Sequence, residues 1–216
     1  MPGLTCISRP SVGCCKSSGC LGKKSLAAAE RVEADRQAFR RRVERLDRRR
    51  FIFTDETGFH LAMTRAYGRA ARGERVGESV PRNHGRGVSL IGSLGLRGLF
   101  APLSIEGAVD TMIFDTYLRE VLVCKLRPSD ILLLDNLPVH LASQVEESVR
   151  QAQAEVLWLP AYSPDFSPIE NCWSKIKTLV RGRRPRTPKE LDVALRDALG
   201  AVTLEDIEGW FNHCGY

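Results

Sequence analysis

Long apolar runs are missing from this chain. A helix that spans a bilayer needs roughly 20 consecutive apolar residues, and the run Ile131-Leu132-Leu133-Leu134 falls far short. That speaks against a membrane protein. Met1 is followed by no apolar core with a small-residue cleavage site, so no secretory signal is expected. Metal-binding cysteine pairs are missing too. The seven cysteines are an odd number, and Cys6, Cys14, Cys15 and Cys20 form no two CxxC pairs and have no His nearby. Free thiols in a disordered tail are expected there in preference to a zinc site. Scattered unpaired cysteines, with Cys124, Cys172 and Cys214 elsewhere, fit a reducing cytosol. No internal repeat is visible.

What is present is ordinary for a folded protein. Of 216 residues, 43% are hydrophobic and 27% charged, enough for a buried core and about one domain with an appendage. Lys and Arg number 32 against 26 Asp and Glu, a net charge of +6. That balance is compatible with a polyanionic partner, and the placement of the charge says more than its total.

Three stretches differ in character. Residues 1–22 form the Ser-, Gly- and Cys-rich tail. Residues 23–50 read as a basic helical linker, with a helix expected from about Ser25 to Leu46. It carries Arg36, Arg40, Arg41, Arg42 and Arg45, and Arg48, Arg49 and Arg50 follow. A solvated charged face and a nucleic-acid contact weigh equally for it. Residues 51–216 alternate between strand and helix patterns. Phe51–Thr54, Val88–Leu94 and Leu99–Ile105 are expected strands, the last two forming a hairpin around Gly95–Gly98. Ile113, Phe114, Tyr117, Leu118, Val121 and Leu122 recur at helical spacing. The continuous run Ile131–Leu134 is what a strand buried on both faces looks like. With a helix over about 142–152 and a strand at Val156–Leu159, it makes a parallel βαβ unit. Helices then start at Ser167-Pro168-Ile169-Glu170 and Thr187-Pro188-Lys189-Glu190, and a short one spans about 204–211. The order implies an α/β fold, one mixed sheet flanked by helices.

Functional groups in such sheets gather beyond the carboxyl ends of the strands. Asp135 follows the most buried strand, Asp55 ends the first apolar one, and Glu170 opens the helix after the next. If the strands are neighbours, three carboxylates meet at one sheet edge. Such a cluster makes sense around a hard divalent cation, and two ions about 3.5–4 Å apart can run phosphoryl transfer. Each residue also has a plainer reading. Asp55 could be a turn residue, Asp135 with Asn136 an Asx turn, and Glu170 the far half of a capping box with Ser167. Their joint placement favours the site. Glu170, Ser174, Lys177 and Arg181 share one helix face. Arg183 and Arg184 extend its basic track, along which a DNA backbone could run; macrodipole-favoured cations at a helix end explain the same residues.

The segments Phe53-Thr54-Asp55-Glu56-Thr57-Gly58-Phe59, Leu134-Asp135-Asn136 with His140, and Leu159 to Asn171 resemble the mariner-type bacterial insertion-sequence transposases, members of the DDE group. The 34 residues between Asp135 and Glu170 match the bacterial branch, and the segments 67–75 and 211–216 look alike as well. The resemblance implies a ribonuclease H-like catalytic domain over residues 51–216. It implies that Asp55, Asp135 and Glu170 are the catalytic, metal-binding triad, with Asn136 orienting a ligand from behind them. His140 would settle its loop rather than bind metal. Mg²⁺, with Mn²⁺ able to substitute and two ions in place, would support cleavage of double-stranded DNA at transposon ends and strand transfer into a target. A dimer on DNA and a nucleoid-associated cytoplasmic location in a bacterium would follow, with no membrane and no small-molecule cofactor. Arg69, Arg72 and Arg75 join Lys177, Arg181, Arg183 and Arg184 as expected DNA contacts. Family members usually carry helix-turn-helix modules ahead of this domain, and about 50 residues before Asp55 leave no room for one; an N-terminally truncated catalytic half is therefore expected. The rival readings are a DNA-binding remnant that does not transpose, and a ribonuclease H-like nuclease acting on RNA–DNA hybrids or junctions.

Overall fold

The computed structural model describes residues 28–216, apart from 66, 84, 86 and 136–138 and the side chains of 139–142. The four N-terminal cysteines and Asn136 lie outside the described residues. Five strands form one sheet in the order β3-β2-β1-β4-β5. They are β1 (Phe51–Phe59), β2 (Val88–Gly95), β3 (Gly98–Glu106), β4 (Ile131–Leu134) and β5 (Glu155–Trp158). β1, β2 and β3 run antiparallel in sequence, while β1–β4 and β4–β5 are parallel, so the sheet is mixed as expected. The β2–β3 hairpin turns at Leu96-Arg97 and closes on Gly98, whose φ of 131° only glycine adopts without strain.

The central strands read as unbroken apolar runs because both faces are covered. Phe51 and Phe53 of β1 and Ile131 and Leu133 of β4 point into one core; Ile52, Leu132 and Leu134 point into the other. The first core lies under α1 (Glu33–Val43), α4 (Pro168–Arg183), α5 (Pro188–Gly200) and α6 (Leu204–Cys214). The second lies under α2 (Thr111–Tyr117) and α3 (Val139–Gln151). A buried polar chain crosses the second core: Thr54 Oγ1 and Ser93 Oγ are 2.7 Å apart, and Ser93 Oγ and Tyr117 Oη 3.1 Å. Each hydroxyl has a partner, which is what makes burial of three polar groups tolerable.

Several elements differ from the sequence expectation. The linker helix is shorter, Glu33–Val43 rather than Ser25–Leu46. Val32 is extended, and Asp47 caps a separate 3₁₀ turn over Arg48–Arg50 by accepting from Arg49 N–H. α1 is packed onto the body through Phe39 and Val43. β1 runs on past Thr54 to Phe59 because it keeps its antiparallel partner β2 after its parallel partner β4 has ended. Asp55 is therefore a strand residue rather than a terminal one. The helix of residues 113–122 is α2 followed by a π turn, Leu118–Leu122, and a 3₁₀ turn, Val123–Lys125. Leu118 and Leu122 are both buried in it. None of the helices among the described residues is long and apolar enough to cross a membrane.

Candidate active site

Register brings the first two carboxylates together. Phe51, Ile52 and Phe53 of β1 stand opposite Ile131, Leu132 and Leu133 of β4. Continuing that offset, Asp55 and Asp135 occupy equivalent places on neighbouring parallel strands, beyond the carboxyl end of β4. Glu170 sits in the first turn of α4, which follows β5 through the loop 159–167. All three line one cleft of about 430 Å³, with Thr54, Leu159, Ala161, Tyr162, Ser163, Pro164 and Ser167 completing its wall. Among the described residues, none that lines the cleft is cationic.

Asp55 is anchored on two sides. Its backbone pairs with Gly92 of β2, and its carboxylate accepts a hydrogen bond from the indole N–H of Trp173 at 3.1 Å. Trp173 is fully buried one turn after Glu170. A Cβ at position 92 would lie 3.0 Å from its ring; glycine at that position makes room for the indole. Burial, then the charges of Glu170 and Glu56, push the Asp55 carboxyl up to about 7, against the pull of the Trp173 and Glu56 N–H groups. Burial raises this acid most and its like-charged neighbours add to it, a combination found at functional sites and one that a bound cation would relieve. The donor set is the oxygen-only kind that suits a hard divalent ion. The carboxylates are not drawn into a finished cage, however: among the described residues, no group of three or more His, Cys, Asp or Glu could hold a metal ion as it stands.

Glu170 is not half of a capping box. Ser167 is the N-cap of α4 by backbone geometry and Pro168 fills the first helical position, yet the Ser167 side chain makes no cap hydrogen bond. The plainer reading of Glu170 loses its partner, and its exposed carboxylate stands at the cleft. Along the same helix, Ser174, Lys177 and Arg181 face outward on the shared face expected for them, while Ile169, Trp173, Ile176 and Val180 are buried. Arg69, Arg72 and Arg75 are exposed in the irregular stretch between β1 and β2, with no ion pair to the described residues. Arg183 and Arg184 are less available than expected: Arg183 pairs with Asp197 at 2.8 Å and Arg184 with Glu78 at 3.3 Å. Arg36, one of the linker arginines weighed for nucleic-acid contact, is buried and paired with Asp165.

Trp173 was not among the site residues singled out from the sequence. The signal was there: an indole, with its one N–H, on an otherwise aliphatic stripe three residues after Glu170.

Residues 50–192 match the model of the DDE superfamily endonucleases. The chain belongs to that family. Over 127 residues it is 25% identical to the Tcb2 transposable-element transposase of Caenorhabditis briggsae, a stretch that is 54% of this chain and 46% of that protein. With the Tcb1 transposase of the same nematode it shares 23% identity over 130 residues, 58% and 48% of the two. The chain thus spans about half the length of the curated relatives it matches. These relatives are nematode proteins and lend no support to a bacterial origin. Among solved structures, the fold resembles the Mos1 mariner paired-end complex with Mn, with a TM-score of 0.68 at 18% identity over 90% of this chain and 65% of that one. It also resembles the Mos1 transposase catalytic domain with Raltegravir and Mn, with a TM-score of 0.59 at 15% identity over 82% and 86%. The fold is the expected α/β one, a ribonuclease H-like mixed sheet flanked by helices.

Proposed function

We propose that this DDE endonuclease is the catalytic domain of a DNA transposase, which cuts at transposon ends and joins them to target DNA. Asp55, Asp135 and Glu170 are its catalytic residues, and they hold a divalent ion, Mg²⁺ or Mn²⁺, most economically as a pair. The observation that carries the reading is the register match of Asp55 and Asp135, with Glu170 on the same cleft. Because the two aspartates hang from neighbouring backbones, side-chain rotation rather than sheet movement is what would bring the oxygens to an ion.

The bound ions would activate the attacking oxygen and stabilise the leaving one. The chain's own part is positional. Trp173 fixes one Asp55 oxygen. The wall of Ser163, Pro164 and Ser167 limits the approach to the carboxylates. Most of the rate would come from in-line placement and neutralised charge. Lys177 and Arg181 lead away from Glu170 along α4 and suit a phosphate backbone. Arg69, Arg72 and Arg75, which have no ion pair among the described residues, offer cations for the same duplex. A dimer is proposed because two transposon ends must meet. Assignment to the bacterial insertion-sequence branch rests on the 34-residue interval between Asp135 and Glu170.

The test is nicking of a supercoiled plasmid that carries the whole element with its flanks. Nicks at the element ends with Mg²⁺ or Mn²⁺, none with EDTA and none with Asp135→Ala, are expected. Full nicking by Asp135→Ala overturns the assigned site. Salt-sensitive DNA binding without any cleavage would instead favour a non-transposing remnant.

A further inference from the structure

The loop that delivers Glu170 is bolted to the far end of the chain. Arg36 of α1 is only 1% exposed, and its guanidinium donates to both carboxylate oxygens of Asp165, at 2.9 and 2.5 Å. The same guanidinium lies over the Phe166 ring, 4.1 Å from its centroid. Phe39, one turn along α1, stacks on that ring at 5.2 Å. From the other end of the chain, Tyr216 Oη donates to the Phe166 carbonyl at 2.7 Å. Asp165 and Phe166 form the 3₁₀ turn directly before Ser167, the N-cap of α4.

At 1% exposure Arg36 cannot reach a phosphate, so the nucleic-acid reading does not apply to it. A buried guanidinium is costly unless it is paired; Asp165 takes Nη1 and Nη2, while Nε has no hydrogen-bond partner among the described residues and lies 3.5 Å from a Glu33 carboxylate oxygen. What the pair holds is the entry to α4. Ser167 supplies no side-chain cap there, so the first turn of α4, with Glu170 in it, takes its place from tertiary contacts.

We infer that Arg36 is a positioning residue for Glu170: the Arg36–Asp165 latch fixes the 163–167 turn, so α1 and the third carboxylate move together. The inference rests on the proposed metal role of Glu170 for its consequence, but not for the latch itself. A displacement of α1 would then be felt at the active-site cleft, and the segment ahead of the sheet would bear on catalysis without touching substrate.

The test uses Arg36→Lys, which keeps the charge and loses the fork, in the full chain. Two readouts other than activity are taken. Amide hydrogen exchange is expected to accelerate across residues 163–171 while β1 and β4 stay protected. Mn²⁺ affinity, read from the electron paramagnetic resonance signal of free Mn²⁺, is expected to weaken about tenfold, the lower end of what partners behind metal ligands give. Unchanged exchange and unchanged affinity in a folded Arg36→Lys would overturn the latch. Should that variant unfold, Asp165→Asn, at a half-exposed position, takes its place with the same expected results and the same overturning ones. If the wild type binds no Mn²⁺ in a manner lost in Asp135→Ala, the metal reading fails, and exchange across the turn still decides the latch.

Discussion

At the scale of single residues, the site depends on which atoms hold Asp55. One oxygen accepts from Trp173 Nε1, and Trp173 owes its place to the missing side chain at Gly92. Replacing Trp173 by Phe keeps an aromatic ring in the core and deletes the N–H. The lost hydrogen bond and the space left by the smaller ring are expected to cost about 1–2 kcal/mol of stability in urea denaturation. The plasmid-nicking rate should fall further than that loss accounts for, by about tenfold, because a carboxylate freed from its partner no longer presents one fixed oxygen. A rate equal to wild type in a folded Trp173→Phe would show that the indole only packs. The buried thiols at Cys172 and Cys214 offer a contrast. Burial pushes them up to about 12 and about 11, which leaves them neutral fillers of the core rather than nucleophiles.

At the scale of elements, helix ends decide more than helix interiors. Thr203 and Asp206 form a true capping box at the start of α6, and Asp206 also pairs with Lys175 of α4. These partners, Lys175 foremost, pull the Asp206 carboxyl down to about 2 from an ordinary 3.8. A depressed acid stabilises the fold above its unfolded value and loses that contribution as pH falls through its folded one. Asp206→Asn is therefore expected to be less stable than wild type at pH 7, by about 1 kcal/mol from the weakened cap. The gap should close between about pH 4 and pH 2, as thermal denaturation of both proteins across that range would show. A gap that stays constant to pH 2 would mean that the charge contributes nothing. The sequence announced such boundaries unevenly. Thr187-Pro188-Lys189-Glu190 capped as its letters suggest, with Thr187 accepting from Glu190 N–H. Ser167-Pro168-Ile169-Glu170 has the same pattern of hydroxyl, proline and glutamate and does not: the Ser167 side chain makes no cap hydrogen bond, and the turn before it is held by Arg36 and Tyr216. Strands buried on both faces were legible as the unbroken apolar runs of β1 and β4. The end of β1 was not, since its extension past Asp55 depends on a partner strand that begins only at Val88. The π turn after α2 was equally hidden: Leu118 and Leu122 are four apart and would share a face of an ordinary α-helix as well, so their spacing does not announce it.

At the scale of the whole molecule, a net charge of +6 matters only where it is free to meet phosphate. The three carboxylates were readable as a set because register and loop length carry them to one cleft. Which arginines would be free was not readable, since ion pairing joins residues far apart in sequence. Arg183 and Arg184 are held by Asp197 and Glu78, whereas Arg69, Arg72 and Arg75 have no ion pair among the described residues. An unpaired exposed cation releases counterions in full when it docks on DNA, and the slope of log affinity against log salt loses about 0.9 for each such contact removed. Changing Arg69, Arg72 and Arg75 together to Ala should therefore flatten that slope by up to about 3, read by fluorescence anisotropy on a labelled duplex between 50 and 200 mM salt. Arg183→Ala with Arg184→Ala should flatten it by less per residue, because each must first leave a carboxylate. Exposed pairs are worth only about 0–1 kcal/mol, so the difference is set by where the cation starts rather than by a strong lock. Asp197→Asn supplies the converse: it releases Arg183 and removes one negative charge, and DNA affinity at low salt should rise. Equal slopes from both arginine sets, with no gain from Asp197→Asn, would show that pairing within the protein does not govern which basic residues meet the nucleic acid.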